Sequence, residues 1–478
     1  MVTLGVGLWV SRRQATAGDY FLGARDLPAW AILLSIVATE TSALTVISVP
    51  GVAARGDLTF LQLPIGYLIG RIGVAVWLLP GYFRGEQETA YARLESSFGP
   101  VTRRAASGIF LVTRALGDGV RVYASAIPLA VLTGWNIPLS ILAMSVVTLA
   151  YTWHGGLKAV VWVDVIQLVV YVAGGVAAFA IAADMAGGTG VVLSQAAAAG
   201  KLRFIDPTLS FTSTYTLLGA VVGGGMLSAA SHGTDHLIVQ RLLASRGLPD
   251  ARRALVGSGV VVLLQFALFL LIGTALWAAN LAPESLPADQ LFSRFVVEHL
   301  PTGLAGLVVA AILAAAMSTQ SSAINALASS VTHDLYASWT GERDPVRLLH
   351  VGRLWTVGWG VLITGAALAF NAIAGGGQGS VVVFALSIAS ITYGGLLGAY
   401  LLAGMAGRVR GRDVLPAIGV SVAVMLVVFL AKQLGQLPSL AWLQPVGRLA
   451  WPWYVPLGTA LTVGAGLLFA LRRGKESA

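Results

Sequence analysis

The chain has 478 residues, of which 56% are hydrophobic and only 11% are charged. Soluble domains carry about 25% charged residues, so this composition excludes a soluble protein and indicates a polytopic membrane protein. The absence of cysteine excludes disulfides and cysteine-ligated metal clusters. The formal net charge of +9 comes from basic residues in short segments between apolar stretches, which indicates membrane topology and not nucleic-acid binding.

Apolar stretches of membrane-spanning length recur along the chain. Residues 1–28 are predicted to hold a partial N-terminal helix and a cytoplasmic loop, because Met1–Val10 is too short to cross a bilayer alone. A charged segment at 84–100 is expected to form a cytoplasmic surface helix. Twelve full spans are predicted, at 29–52, 59–83, 106–133, 137–153, 159–186, 211–240, 254–280, 303–335, 349–374, 379–405, 413–434 and 452–472.

The distribution of basic residues predicts the orientation of these spans. If the first loop is cytoplasmic, most Lys and Arg residues outside the spans fall on the cytoplasmic side. The predicted external side holds only Arg55, Lys201, Arg203, Arg294, Lys432 and Arg448. The C-terminus is then cytoplasmic, and the chain is expected to be a multi-pass protein of a bacterial inner membrane.

The first span carries polar residues at its centre, in the sequence Ala38-Thr39-Glu40-Thr41-Ser42. A carboxylate at mid-bilayer costs about 2.5–3.5 kcal/mol, which favours a functional role. Small hydroxylated residues here predict a broken helix that lines a binding site. The alternative is a packing helix whose Ser and Thr side chains bond to its own backbone. The sixth span has a similar stretch at 228–235, and such paired interruptions predict two five-helix repeats of opposite topology.

The eighth span places polar side chains on one helical face, with Ser318, Ser321, Ser322 and Asn325 at i, i+3, i+4 and i+7. Hydroxyl and carbonyl oxygens on such a face suit a hard cation such as sodium, whereas hydrogen bonds between helices are the alternative. In the fifth span, Asp164 is an isolated acid. It is interpreted as a cation ligand or a proton carrier, with a structural ion pair as the alternative.

The third span places Arg114, Asp118 and Arg121 on one stripe. Asp118 can pair well with only one arginine, which leaves the other free for an anion such as a carboxylate. Arg121 lies deeper and is the candidate for contact with the solute. Arg71 is a charge in mid-span that requires a partner, and Glu40 is one candidate.

Five motifs occur in order along the chain: GDYFLGARDLPAW, GGLKAVVWVDVIQ, GTDHLIVQR, AAAMSTQSS and YGGLLGAYLLAG. Together they resemble the sodium:solute symporter family, which includes sodium-coupled sugar, proline and sialic acid transporters. The resemblance implies an all-α LeuT-type fold with an inverted five-plus-five helix repeat. The first repeat is expected at 29–186, an external loop at 187–210, the second repeat at 211–405, and two flanking helices at 406–478.

The resemblance also implies which residues form the sites. One sodium ion would lie between the first and eighth spans, held by Ala38, Thr41, Ala315, Ser318 and Thr319. Some members bind a second sodium ion, and the matching residues here are Ser318, Ser321, Ser322 and Asp164. For the solute, Ser42, Thr45 and Gln62 match positions of the sialic acid branch, and Glu40 matches the position where proline transporters carry an Asp. Independently of the resemblance, Arg121 and His232 are candidates as polar residues of the predicted cavity.

The predicted function is a sodium-coupled secondary active symporter that imports a small organic solute by alternating access. Arg121, Ser42 and Thr45 favour a carboxylate, such as a sialic acid or another organic anion. A sodium/amino acid symporter of the proline type and a sodium/sugar symporter are the alternatives. A channel would require a continuous polar ring through the bilayer, and a sensor would require a signalling domain. Neither an enzyme nor a nucleic-acid partner is expected, and the transport unit is expected to be a monomer in the lipid bilayer.

Overall fold

A computed structural model describes residues 14–41, 43–85, 87–374, 381–405 and 408–476. Regular structure in these ranges is helical, apart from one bridge between Leu27 and Ser245. Seven helices are long and apolar enough to cross a membrane, as judged from length and composition. The predicted stub Met1–Val10 lies outside the described residues. These helices confirm the prediction of an all-α, multi-pass membrane protein.

Each predicted span coincides with a helix or with a set of consecutive helices. The bounds are Ala29–Glu40 and Ala43–Arg55 for the first span, Thr59–Tyr82 for the second, Pro100–Thr133 for the third, Ile137–Met185 for the fourth and fifth together, Gly219–Gly224, Gly225–Gly233 and His236–Leu243 for the sixth, Leu248–Ala278 for the seventh, Thr302–Thr340 for the eighth, Pro345–Ala374 for the ninth, Val381–Ala403 for the tenth, Gly411–Leu434 for the eleventh, and Tyr454–Glu476 for the twelfth. Shorter helices cover Ala17–Leu22, Ala92–Phe98, Thr189–Ala198 and Ala288–His299.

The fourth and fifth spans meet at a sharp bend without an intervening loop. Gly156 adopts φ 53° and ψ −156° inside the helix Ile137–Met185, a backbone conformation that residues with a side chain rarely adopt. A Cβ atom at this position would also overlap the backbone oxygen of Tyr20. The bend therefore depends on glycine, and it sets the direction in which the fifth span crosses the bundle.

The segment at 84–100 does not form the single surface helix that the sequence predicted, since its helix covers only Ala92–Phe98. Tertiary contacts hold the preceding residues in turns. The Thr89 hydroxyl donates to Asp334, and the Ala90 N–H donates to Nδ1 of His236 over 3.3 Å. The tip of this loop is thus anchored to the sixth and eighth spans.

The sixth span also begins later than predicted, because residues 211–216 are not helical. Residues on both sides of the start are tied to the preceding segment, at Asp206, and to the second span, at Phe60. The Leu217 N–H donates to the Asp206 carbonyl over 2.8 Å, and the ring of Tyr215 packs 5.1 Å from that of Phe60. These contacts delay the start of the helix.

The first span lies at the centre of the bundle and packs against the fifth, seventh and eighth spans. Its C-terminal half, Ala43–Arg55, approaches the seventh span so closely that a Cβ atom at Gly273 would overlap the Pro50 carbonyl. The interrupted centre of the first span is therefore enclosed by helices on several sides, which is where a site is expected.

Candidate functional site

The first span is broken at the position that the sequence predicted. Its N-terminal half ends at Glu40, and Thr41 has φ −79° and ψ 96°, which is extended backbone. The second half starts at Ala43, while Ser42 lies outside the described residues. The last four carbonyls of a helix have no partner within that helix. The break therefore leaves backbone oxygens for other partners in the middle of the span.

A small cavity lies at this break, between the first and eighth spans. Four of the five predicted ligands of the first sodium ion line it, namely Ala38, Thr41, Ala315 and Ser318. Its remaining lining residues are Gln167, Leu168 and Tyr171 of the fifth span. The cavity holds about 190 Å³ with its opening to solvent included, so its enclosed part is smaller still. Its size thus suits an ion better than an organic solute.

The hydroxyl groups of the eighth span have different hydrogen-bond partners. Ser318 Oγ donates to Asp164 Oδ1 over 2.5 Å, so this hydroxyl joins the cavity to the fifth span. Thr319 Oγ1 donates to the Ala315 carbonyl over 3.1 Å, and Ser321 Oγ donates to the Ser318 carbonyl over 3.0 Å. The three hydroxyl oxygens and the two carbonyl oxygens retain lone pairs after these bonds, so the bonds are compatible with cation binding.

The interpretation of Asp164 as an unpaired acid is wrong, because it forms a fully buried ion pair with Arg241 of the sixth span. Arg241 Nη2 lies 3.2 Å from Asp164 Oδ2, and Ser35 Oγ donates to the same carboxylate oxygen over 2.5 Å. Arg241 also donates to Ser322 Oγ and, over 2.9 Å, to Ser35 Oγ. Two of the residues predicted to bind a second sodium ion are therefore in contact with a guanidinium.

Glu40, the last residue of the helix Ala29–Glu40, pairs with Arg71, as the sequence suggested. Arg71 also donates to Ser258 Oγ over 2.7 Å and has no exposed side-chain surface. His232 Nε2 lies 3.6 Å from the Glu40 carboxylate, and its Nδ1 lies 2.8 Å from Ser231 Oγ. The pair thus joins the broken first span to the second span and lies beside the sixth span.

The prediction that one arginine of the third span is left free is wrong. Arg121 Nη1 donates to Asp118 over 2.9 Å. Arg114 lies 3.4 Å from Asp118 and 3.0 Å from Asp235 at the break of the sixth span. The sequence did not predict the pair between Arg114 and Asp235, because these residues lie more than 100 positions apart in the chain. The Arg121 side chain is 22% exposed, and its guanidinium carries five N–H groups, more than the bond to Asp118 uses.

Two other predicted solute ligands can be located. The Gln62 amide donates to the carbonyls of Thr59 and Tyr215 over 3.0 and 3.2 Å and accepts from the Asp206 N–H over 3.1 Å. Its polar groups therefore bind backbone of its own span and of the segment before the sixth span. Thr45 is half-buried on the C-terminal half of the first span.

Sequence reasoning missed Gln265 of the seventh span, which is buried beside the break. Its Nε2 donates to Thr41 Oγ1 over 2.6 Å and to the Tyr171 hydroxyl over 3.1 Å. An isolated polar residue in the apolar helix Leu248–Ala278 was the available signal. Gln265 fixes the orientation of the Thr41 hydroxyl at the edge of the cavity.

The arrangement agrees with comparisons to known proteins. The family model described as the sodium:solute symporter family matches residues 20–430. The chain belongs to this family. It is a sodium-coupled symporter, and the predicted family and type of transport are confirmed.

Two similar proteins are named for the solute that they transport with sodium. The symporter is 31% identical to the human sodium/iodide cotransporter (Homo sapiens), over 91% of this chain and 69% of that protein. It is 29% identical to the sodium/sialic acid symporter SiaT of Proteus mirabilis (strain HI4320), over 76% of this chain and 75% of that protein.

A solved structure of a substrate-bound, outward-open, sodium-coupled sialic acid symporter with a novel sodium site is also similar. It superposes with a TM-score of 0.85 and 25% identity, over 98% of this chain and 95% of that one. This similarity over almost the whole chain confirms the LeuT-type fold with flanking helices.

Proposed function

We propose that sodium binds in the cavity at the break of the first span, held by oxygens of Ala38, Thr41, Ala315, Ser318 and Thr319. The observation that carries the proposal is that four of these residues line one small cavity. The donors are carbonyl and hydroxyl oxygens without net charge, which are the ligands that hard cations prefer. A sodium ion there joins the first span to the eighth.

We further propose a stoichiometry of one sodium ion in the state described here. The second predicted site centres on Asp164, which is already neutralised by Arg241 at 3.2 Å. A sodium ion among Asp164, Ser318 and Ser322 would lie next to that guanidinium, and like charges at such a distance repel strongly in a buried site. A second ion would require Arg241 to move away.

The solute is proposed to be a small organic anion, with sialic acids as the first candidates. Two relatives carry anions, namely iodide and sialic acid. Arg121 supplies a partly exposed guanidinium in the third span, a group that binds carboxylates in bidentate geometry. The iodide carrier, which is the more similar of these two relatives by identity, makes a small inorganic anion the second candidate.

Coupling follows from the position of the sodium site. One sodium ion that enters down a potential of −100 mV gains about 2.3 kcal/mol, but a monovalent anion that enters with it loses the same amount, so the sodium concentration gradient drives the proposed one-to-one symport. Sodium and solute must therefore favour the same conformation, and the effect of each on the affinity for the other must be equal. The break of the first span, shared by the cavity and the Glu40–Arg71 pair, is the proposed link.

The proposal can be tested by isothermal titration of sialic acid, and separately of iodide, into purified protein. The titrations are run in sodium and in potassium at equal ionic strength. Sodium is expected to lower the solute dissociation constant by at least about tenfold. A solute affinity that is equal in the two salts would contradict coupling, and binding of iodide alone would replace the organic anion with the second candidate.

The symporter is proposed to act as a monomer in the inner membrane of a bacterium, with a cytoplasmic C-terminus. The strong bias of basic residues supports this orientation.

A further inference from the structure

The second span contains a π-helical turn, Val74–Leu78, close to its cytoplasmic end in the proposed orientation. The Leu79 N–H donates to the Val74 carbonyl, five residues earlier, and Pro80 has no N–H to donate. The Ala75 carbonyl therefore lacks both of the donors that an α-helical or π-helical turn would give it. A carbonyl at the surface of the span is left for another partner.

An arginine of the seventh span donates to this carbonyl. Arg252 Nε lies 2.9 Å from the Ala75 oxygen, and this bond restricts the plane and direction of the guanidinium. The residue is exposed at the protein surface. Within the part of the chain that the structure describes, its Nη atoms have no acceptor and no carboxylate pairs with them. A planar guanidinium with free N–H groups on both Nη atoms can bind a phosphate in bidentate geometry.

The guanidinium lies near the depth at which lipid headgroups meet hydrocarbon. Ala75 precedes Tyr82, the last residue of the helix Thr59–Tyr82, by seven positions, which corresponds to about 10 Å along the helix axis. The nearby surface of the second span is apolar, since Val76 is 55% exposed and Trp77 is 77% exposed. Tryptophan is typical of the membrane interface, and a charge at this depth requires an anion or water.

The seventh span presents an apolar surface that runs from this point toward the centre of the bilayer. Val260 is 44% exposed and Leu264 is 64% exposed, and they follow Arg253 at i+7 and i+11, so the three residues share a face. Arg252 lies at the edge of that face, where the seventh span meets the second. The two spans thus form a surface on which acyl chains can lie directly beside a fixed guanidinium.

Two further arginines lie at this end of the two spans. Arg253 is 3.5 Å from Asp250, and its side chain is 77% exposed. Arg84 is exposed just beyond the end of the second span. A zwitterionic headgroup carries an ammonium group that these arginines repel, whereas an anionic headgroup is attracted by all three.

We infer that Arg252 binds the phosphodiester group of an anionic phospholipid on the surface between the second and seventh spans. The acyl chains lie along Val76, Val260 and Leu264. The bond to the Ala75 carbonyl orients the guanidinium in advance, so little side-chain freedom is lost on binding. The proposed orientation assigns the site to the cytoplasmic leaflet, but the site itself does not depend on it.

The test records the thermal unfolding midpoint of the full-length protein in detergent micelles, with dioleoyl phosphatidylglycerol or dioleoyl phosphatidylcholine titrated in. Phosphatidylglycerol is expected to stabilise the wild type saturably and to be retained in native mass spectra. Arg252→Gln should weaken the apparent affinity for this lipid at least about tenfold. Arg253→Gln has the same change in net charge and is the matched control. It should weaken the affinity less than about threefold, because Arg253 acts only over a distance.

A second variant, Pro80→Ala, tests the fixed geometry without altering any charge. It restores an N–H that competes with Arg252 for the Ala75 carbonyl, and should weaken phosphatidylglycerol binding by about threefold or more. Its stability in phosphatidylcholine should equal or exceed that of the wild type, because proline is removed from the interior of a helix.

Several results would overturn the inference. The wild type could be stabilised equally by the two lipids, or Arg252→Gln and Arg253→Gln could lose the same affinity. Unchanged phosphatidylglycerol binding in Pro80→Ala would show that the guanidinium is not held ready by the carbonyl. Inorganic phosphate at the same concentration is a further arm, and equal stabilisation by phosphate would make the ligand a free anion instead of a lipid.

Discussion

The first and sixth spans are both interrupted, but the two breaks are completed in opposite ways. At Thr41 the extended backbone faces a cavity, and the surrounding oxygens have room for an ion. At the second break, Asp235 has φ −82° and ψ 122°, and its carboxylate caps the next helix by accepting from the Leu237 N–H over 2.9 Å. That carboxylate also accepts from the Tyr393 hydroxyl over 2.6 Å and pairs with Arg114.

The difference indicates that the two breaks have different roles. The Asp235 carboxylate at the sixth-span break is bonded by side chains of the third and tenth spans and by the Leu237 N–H, so this carboxylate needs no ligand. The first-span break has an adjacent space that protein atoms do not fill. Sodium is therefore expected to stabilise the first break, whereas the second break is held by the protein itself.

The largest expected effect is on the second break. Asp235→Ala removes the helix cap and leaves Arg114 with only its longer contact to Asp118. Breaking a buried ion pair by removing one partner costs about 3–5 kcal/mol. The unfolding midpoint should fall strongly in both sodium and potassium, while the fold-stabilising effect of sodium is retained. A loss of the sodium response at unchanged stability would instead make Asp235 a sodium ligand.

The next effect concerns the solute. Arg121→Ala should weaken solute binding by about 1.5–3 kcal/mol, the range for hydrogen bonds to charged groups, and should reduce uptake accordingly. Asp118 keeps Arg114 at 3.4 Å, so sodium-dependent stabilisation should persist. Uptake and sodium titration are measured on the same preparation. Wild-type uptake by this variant would remove the argument for an anion at Arg121.

A smaller effect is expected at the first break. Ser318→Ala removes one cavity oxygen and should raise the sodium dissociation constant at least tenfold, or about 1.4 kcal/mol. The matched control is Ser329→Ala, a buried serine of the same helix whose hydroxyl lies 3.1 Å from His236 Nε2. Sodium titration of the unfolding midpoint distinguishes the two variants. Equal sodium affinities would show that the eighth span does not bind the ion through Ser318.

The smallest effect is at an exposed pair on the predicted external side, where Asp57 lies 3.0 Å from Arg203. Burial alone would raise the pKa of the Asp57 carboxyl, but bonds from the Thr59 hydroxyl and N–H, with Arg203, lower it below the usual 3.8. Because the pKa of Asp57 is lower in the folded state than in the unfolded state, the ionised carboxylate stabilises the fold at pH values above the usual 3.8. This stabilisation is lost as the pH falls through the folded-state pKa.

Asp57→Asn should therefore destabilise the protein by less than about 1 kcal/mol at pH 7, as is typical of exposed pairs. The difference from the wild type should shrink as the pH is lowered toward 3, which is measured by thermal unfolding over that range. A difference that grows on acidification would have the wrong sign. The small loss of stability expected for Asp57→Asn is the reference for the larger loss expected for Asp235→Ala.

Local sequence patterns predicted the parts of the site that depend on neighbouring residues. The polar centre of the first span predicted its break, and the spacing of Ser318, Ser321 and Ser322 predicted a face toward the bundle, where all three are buried. The pairing of charges could not be predicted in the same way. Asp164 and Arg241 are separated by 77 residues, and only the packing of the fifth span against the sixth brings them together.

The same limit applies to residues whose partners come from the fold. Gln62 was predicted to bind solute because it matched a family position, but its neighbours in space are backbone groups at 59, 206 and 215. Gln167 lies three residues after Asp164 in the motif GGLKAVVWVDVIQ, in which only Asp164 was predicted to be a site residue. Its position in the cavity depends on the bend at Gly156, which no local pattern specifies quantitatively.

Direct measurement of sodium binding tests the role of the first break most sharply. Purified protein is incubated with ²²Na⁺ in a scintillation proximity assay, and bound radioactivity is displaced with unlabelled sodium or potassium. Saturable binding close to one ion per chain is expected, displaced by sodium and not by potassium, and weakened at least tenfold in Ser318→Ala. Absence of saturable binding, or binding that Ser318→Ala leaves unchanged, would contradict a sodium site where the first span meets the eighth.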